Sequence, residues 1–148
     1  MHHWHRDDYT ISTDPVRLQL PVIHGYLSTS YWAAGIPLGV VERSLRHSLC
    51  YGIYQGENQV GFARVITDYA TFAYLADVFV LEAHRGKGLA HWMMECILET
   101  PELQGLRRWM LVTRDAQRIY ADMGFQPVTP ERVMEKVERD VYRRVSRT

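Results

Sequence analysis

The chain of 148 residues has only two cysteines, Cys50 and Cys96, far apart and each in apolar surroundings. Two such thiols make neither a disulfide framework nor a metal-binding spacing, so both are expected to be reduced core residues. A surplus of charge is missing as well: Lys plus Arg and Asp plus Glu number 17 each. That balance removes the electrostatic reason to expect nucleic acid, a membrane surface or an acidic polymer as partner, and favours a small molecule. No apolar run approaches the ~18 residues of a spanning helix, and the opening "MHHWHRDDYT" lacks the basic-then-apolar order of a secretion signal. A cytoplasmic location is the expectation. Repeats and low-complexity segments are also absent. With 47% hydrophobic residues the chain can bury one sizeable core, so residues 1–148 are read as one domain with a flexible lead over 1–8 and a solvated basic tail over 140–148.

Hydrophobic periodicity orders what is present. "YTISTD" (9–14) reads as a short strand, and Leu18 through His47 carries two helical patterns broken at "YWAAGIP" by Gly35 and Pro37. "LCYGIYQGENQVGFARVITD" reads as two strands joined across "GEN", and "FAYLADVFVL" supplies a third antiparallel neighbour after the turn "DYA". Leu89, Trp92, Met93, Cys96 and Ile97 share one helical face, which predicts a helix lying on the sheet. "LRRWMLVT" (106–113) is a short buried strand. "DAQRIYADMGF" is a helix opened by Asp115 as N-cap and closed by Gly124, and the alternation of "RVMEKVER" predicts a last strand. The order describes an α/β or α+β domain with a largely antiparallel first half.

Between "YLADVFVL" and "HWMMECIL" stands "HRGKGLA" (84–90). A strand that ends in a glycine turn and feeds a helix presents unpaired N–H groups at the positive end of the helix dipole, a ready site for phosphate oxygens. Gly86 and Gly88 would admit a diphosphate to the backbone, with Arg85 and Lys87 adding charge at the rim. On its own the loop fits an anion cradle and an ordinary strand-to-helix turn equally. Its spacing matches neither a P-loop nor a dinucleotide fingerprint.

Arg85-x-x-Gly88-x-Ala90 resembles the Q/R-x-x-G-x-G/A signature of the GNAT superfamily of N-acetyltransferases, and "DVFVLEAHRGKGLAHWMME" is similar to that family's fourth strand, pyrophosphate loop and third helix. A second anchor is "DAQRIYADMGF", which resembles the family's A-x-x-x-Y-x-x-x-G-F segment through Ala116, Tyr120, Gly124 and Phe125. The likeness spans roughly residues 49 to 138. It implies a mixed, mostly antiparallel sheet of about six to seven strands flanked by about four helices, with the family's fourth and fifth strands splayed. It also implies acetyl-CoA as cosubstrate, without a metal. The pantetheine arm would lie in the splay against Phe79, Val80 and Leu81, and the diphosphate on Gly86, Lys87, Gly88, Leu89 and Ala90 beside Arg85. Thr113, Asp115 and Ala116 would border the cofactor where the second motif begins; Thr113 stands where many members have asparagine.

Acyl transfer to an amine needs a neutral nucleophile, polarisation of the thioester carbonyl and a proton for the leaving thiolate. The resemblance assigns the proton to Tyr120, whose alternative is a core tyrosine packed beside Phe125. Asp77, an aspartate inside "LADVFV", is costly to bury unless bonded or functional, and is the candidate base. It could instead hold a bulge or pair with Arg64, leaving the base to a water chain, Asp68 or Glu82. Tyr31, Trp32, Asp68 and Tyr69 are candidates for the acceptor pocket, since aromatic walls with an acid suit a small amine cation; core filling explains the aromatics as well. "MHHWH" could bind copper through the free amine and His3, or nickel, or simply be solvated, and His84 and His91 could touch phosphate. The expected activity is acetylation of a small primary amine. Acetylation of a protein N-terminus or lysine, and a non-catalytic acyl-CoA-binding regulatory module, stand as alternatives, and a homodimer is left open.

Overall fold

A tight turn at Gly56–Glu57 joins two strands that are buried on both faces, and the sheet grows outward from this hairpin. The computed structural model describes residues 1–146. Its strands are β1 (His3–Arg6), β2 (Tyr9–Ser12), β3 (Leu49–Gln55), β4 (Asn58–Thr67), β5 (Phe72–Val80) and β6 (Arg108–Leu111), in the spatial order β1-β2-β3-β4-β5-β6. Every pairing is antiparallel except β5 with β6. The helices are α1 (Leu20–Leu27), α2 (Leu38–Arg46), α3 (Leu89–Glu99), α4 (Gln117–Ala121) and α5 (Val141–Ser146). This is the mixed, mostly antiparallel sheet expected from the sequence.

The two faces of the sheet bury different clusters. Ile11, Tyr51, Ile53, Ala63, Val65 and Leu75 meet Trp92, Met93, Cys96 and Ile97 of α3 on one face. Cys50, Phe62 and Phe79 meet Ile23 and Leu27 of α1 and Val41 of α2 on the other. The buried face of α3 is the one its period predicts, and each large apolar side chain there contributes about 1.5–3 kcal/mol by leaving water. The break between α1 and α2 also falls where expected: Gly35 adopts φ 75° and Pro37 caps α2.

Three expectations are corrected. Residues 1–8 are not a free lead: His3–Arg6 pairs with β2, His2 N–H donates to Thr13 Oγ1, and Trp4 Nε1 donates to Glu99 on α3. An apolar Trp4 stacked on Tyr51 holds the strand down, a signal masked by the surrounding histidines. The "RVMEKVER" segment is no strand; it follows a short 3₁₀ turn at Pro130–Arg132, and all its side chains are exposed. Alternation specifies a strand only where one face is buried, and here neither is. Finally, the basic tail is helical over Val141–Ser146, with Tyr142 packed against the α1–α2 cluster; its last two residues lie outside the described residues. No helix among the described residues is long and apolar enough to cross a membrane.

Candidate active site

Strands β5 and β6 run parallel and remain paired only from Phe72–Arg108 to Leu75–Leu111. Beyond that point β5 continues to Val80 with no strand partner on this side among the described residues, which opens the splay expected of the family's fourth and fifth strands. A bulge directs the backbone at the opening. Phe62 pairs with Phe79 but Arg64 pairs with Ala76, so β5 carries one more residue than β4 in this interval, and Asp77 takes a left-handed φ of 58°. Leu81 N–H donates to Val60 O. By strand alternation Phe79 and Leu81 therefore turn their backbone groups to β4, and Val80 turns its own into the gap. Of the three residues expected to offer backbone groups there, Val80 alone does so; Phe79 contributes its ring to the α1 side instead.

The glycine loop follows directly. A 3₁₀ turn over Glu82–His84 leads to Gly86 at φ 79° and Gly88 at φ 73°, and Gly88 caps α3 with no side-chain hydrogen bond. The first bond of the helix is Trp92 N–H to Gly88 O. Among the described residues no carbonyl or side chain accepts from the N–H groups of Gly86, Lys87, Gly88, Leu89, Ala90 or His91. A Cβ built on Gly86 or Gly88 meets nothing within 4 Å, so these glycines are there for their backbone angles and the ground above them is open. Consecutive donors at a helix start, facing open space, suit a diphosphate. His84 Nδ1 shares a hydrogen bond of 2.8 Å with Tyr9 Oη, which anchors the turn to β2, and exposed Lys87 sets its ammonium 5.8 Å from the Tyr9 ring. His91 pairs with Glu95 one turn on.

Arg85 departs from the expectation that its charge lines the cradle. Its N–H donates to Glu82 O, its Nε donates to Val80 O at 2.9 Å, and its Nη2 donates to Tyr26 Oη at 3.1 Å. The carbonyl that Val80 turns into the gap needs a donor, and the guanidinium supplies it.

Opposite the cradle, the α1–α2 loop and the β6–α4 segment close on the splay. Asp77 accepts from Arg64 Nε at 2.8 Å on one carboxylate oxygen and from Trp32 Nε1 at 2.9 Å on the other. Its side chain is 11% exposed, so the aspartate inside an apolar strand is satisfied on both oxygens while keeping a solvent-facing edge. Arg64 is fixed in turn by Ser48 Oγ. Trp32 meets Tyr31 edge to face, and the Arg114 guanidinium lies 3.8 Å from the Tyr31 ring centroid, bridging the two walls. Tyr26 stacks on Phe79 with ring centroids 4.2 Å apart. Tyr120 is buried in the α3-side core with its ring 5.9 Å from Phe125, and its hydroxyl has no protein partner among the described residues. Burial first, and the nearby Tyr31 second, push its pKa above the ordinary tyrosine value.

Not every expected residue converges here. Asp68 and Tyr69 sit in the β4–β5 turn, and Asp77 is some 16 Å further along β5 at the usual rise per residue. Asp68 accepts from Ala70 N–H, Thr71 N–H, Phe72 N–H and Thr71 Oγ1, which holds its carboxyl below the usual carboxylate range and makes it the builder of that turn. Asp115 does not cap α4: the cap position is Ala116, and Thr113 Oγ1 accepts from Ala116 N–H in its place. Sequence reasoning missed Tyr26 and Arg114. Tyr26 lies on α1 one helical turn from Ile23, which marks it as inward-facing; nothing in the sequence marks Arg114. A groove of about 370 Å³ between β6 and residues 127–133 shares no lining residue with the cradle or the acceptor side. No cluster of three or more His, Cys, Asp or Glu that could hold a metal occurs among the described residues.

This splayed sheet with a donor loop at the head of α3 is the architecture of an acyl-CoA-dependent transferase. Residues 46–127 match the family model of the acetyltransferase (GNAT) domain. A Gibberella zeae protein named "Putative acetyltransferase FG08082" is 37% identical over 140 residues, covering 79% of this chain and 78% of its own. The crystal structure of a GNAT-family protein from Xanthomonas campestris pv. campestris is 48% identical, with a TM-score of 0.87 over 90% of this chain and 96% of that one. A Clostridium acetobutylicum acetyltransferase structure with acetyl-CoA shares the fold at 13% identity and a TM-score of 0.64, covering 87% of this chain and 94% of that one. The chain belongs to the GNAT acetyltransferase family and is an acyltransferase.

Proposed function

We propose that this chain transfers an acetyl group from acetyl-CoA to a primary amine of a small molecule by direct attack. The observation that carries the reading is the run of unpartnered N–H groups from Gly86 to His91, lying beside the open edge of β5. Those groups suit the diphosphate, and the Val80 edge suits the pantetheine arm. The reading assigns the leaving-group side of the thioester to the Tyr120 hydroxyl and the attacking-amine side to the Asp77 carboxylate. The relative from Clostridium acetobutylicum, solved with acetyl-CoA, is consistent with that cosubstrate.

In this reading each polar group has one task. Asp77 keeps a free lone pair on each oxygen after accepting from Arg64 and Trp32, and takes the proton that the attacking amine must lose. Tyr120 gives its hydroxyl proton to the thiolate as the carbon–sulfur bond breaks; its raised pKa keeps that proton in place across the neutral range. Tyr31 and Trp32, 53% and 40% exposed, form the rim that the acceptor meets first, and their spacing suits a small cationic or aromatic amine better than an extended chain. The two cysteines, free and buried, agree with a reducing, cytoplasmic setting.

The test is a thiol-release assay with acetyl-CoA across a panel of small primary amines, alongside peptides bearing free N-termini and lysines. Release above the hydrolysis background with small amines is the expected result. Release with peptides alone would replace the small acceptor by a protein one. Tight acetyl-CoA binding with no release for any amine would mean a binding module.

A further inference from the structure

Arg85, the first residue of the loop signature, commits its guanidinium to protein groups. Its guanidinium begins a chain of contacts that leaves β5 at Val80 and returns to β5 at Asp77. Arg85 Nε holds Val80 O, and Nη2 donates to Tyr26 Oη. The Tyr26 ring lies parallel to Phe79, at an interplanar angle of 11°, and 6.2 Å from the Trp32 ring. Trp32 Nε1 donates to Asp77. Trp32 is on a ten-residue connection between helices, 28–37, and such a segment orders only where something holds it. Tyr26 lies in the last turn of α1, one residue before the Leu27 end from which that connection departs.

We propose that Arg85 and Tyr26 are a positioning pair: their hydrogen bond sets the end of α1 so that Trp32 meets Asp77, and Arg85 thereby serves the acceptor side of the site instead of the diphosphate. The planar fork suits this task, because one guanidinium reaches a strand carbonyl and a helix hydroxyl at once, whereas an ammonium has no such fixed geometry. The device also links the two halves of the site. The same five-residue stretch, Arg85 to Leu89, carries cradle N–H groups and the anchor of the acceptor loop, so a ligand on the cradle and the loop over Asp77 rest on one support. This inference rests on the acetyl-CoA reading above only in calling the Asp77 side the acceptor side.

The chain has four tryptophans, so ¹H–¹⁵N spectra of the indole region carry a signal for each, with Trp32 assigned through Trp32→Phe. In Tyr26→Phe, which removes only the hydroxyl, and in Arg85→Gln, the Trp32 indole signal should move and its exchange with solvent should quicken about tenfold, the weight of one hydrogen bond. Trp4, Trp92 and Trp109 should hold their positions, which separates loosening of the loop from loss of the fold. Arg85→Lys should resemble Arg85→Gln. Acetyl-CoA affinity, measured by calorimetry, should stay within about twofold of native in all three. An unmoved Trp32 signal in both Tyr26→Phe and Arg85→Gln overturns the proposal. So does acetyl-CoA affinity that falls tenfold or more in Arg85→Gln and returns in Arg85→Lys, since the charge would then serve the diphosphate. Should Arg85→Gln lose all four signals, Tyr26→Phe alone decides. Failure of the native protein to bind acetyl-CoA would remove the functional reading and leave the Trp32 test intact.

Discussion

Replacing Gly88 with valine separates the cradle from the fold that carries it. Gly88 sits at φ 73° and ψ 17°, with nothing within 4 Å of where a Cβ would stand. The folded protein therefore pays only the backbone term, about 1–2 kcal/mol for an L-residue in the left-handed region, raised somewhat by β-branching. The ligand meets a second effect. The new methyl groups stand over N–H donors that have no protein partner, and a hydrogen bond to a charged acceptor contributes about 1.5–3 kcal/mol. Losing one or two of them predicts a weakening of CoA binding by about tenfold at least, and by up to about 10⁴. Gly105→Val is the matched control: it has φ 77° and equally open space, so it carries the same strain away from the cradle. Calorimetry with CoA, next to thermal unfolding of both variants, reads the two effects apart. Both variants should lose similar stability, and only Gly88→Val should lose CoA. If Gly88→Val is folded and binds CoA within about twofold of native, the loop is an ordinary turn and the cradle argument fails.

Other perturbations address the chemistry and the core. Tyr120→Phe keeps the ring against Phe125 and removes the proton donor, so turnover with an amine found in the screen should fall about 10²- to 10⁴-fold at unchanged CoA affinity. Because burial raises the native Tyr120 pKa, the high-pH limb of the rate profile should lie above the ordinary tyrosine value near ~10 and should vanish in that variant; turnover within about threefold of native would refute the role. Trp32→Ala should alter the apparent affinity for the acceptor far more than that for acetyl-CoA, and equal losses would indicate a folding role. Burial pushes the Cys50 and Cys96 thiols up to about 12, so at pH 8 about 10⁻⁴ of each is thiolate and a disulfide-exchange reagent should react only as fast as the protein unfolds. Tyr54 Oη is buried without a partner among the described residues, so Tyr54→Phe should stabilise the fold by about 1 kcal/mol in chemical denaturation. Burial raises the native Tyr54 pKa from 10.0 to about 12, so native stability is undiminished by this group below pH ~10 and falls as pH rises towards ~12, a decline that should be missing from the variant's profile.

What could be read in the sequence followed from local rules. The loop at 84–90 was legible because a left-handed turn at a helix start demands glycine, and Gly86 and Gly88 both take positive φ. The Gly56–Glu57 hairpin, the break at Gly35 and Pro37, and the inner face of α3 likewise depend on neighbours within a turn or two. The misses share a different cause. β1 exists because Trp4 finds Tyr51 and Glu99, contacts that span some ninety-five residues to α3 and leave no local trace. "RVMEKVER" alternates, yet lacks a buried face to turn alternation into pairing. In the candidate site, Tyr120 was proposed through its motif alone, while the partners of Asp77 divide instructively: Arg64 lies thirteen residues away on the paired strand and could be foreseen, whereas Trp32 comes from a separate loop.

The two sides of the proposed site are built from different materials, and on that reading this bears on how acceptor preference is encoded. The cradle uses backbone N–H groups, which any residue supplies once Gly86 and Gly88 allow the turn. The side chain of Lys87 there is exposed, although Leu89 of the same run is buried in the core. The acceptor side uses side chains throughout: Trp32 and Tyr31 from one loop, Asp77 and Arg64 from two strands, Arg114 from the β6–α4 segment. A single change at any of these alters shape or charge without touching the cradle. Asp77 is the most constrained of them, because it combines a left-handed backbone, which costs about 1–2 kcal/mol, with two donors that offset that cost. A bulge under such strain persists only where its neighbours over-determine it, and here both neighbours, Arg64 and Trp32, are acceptor-side residues. On the proposed reading, cosubstrate recognition is thus written in the turn, and acceptor preference in the side chains that gather around the bulge.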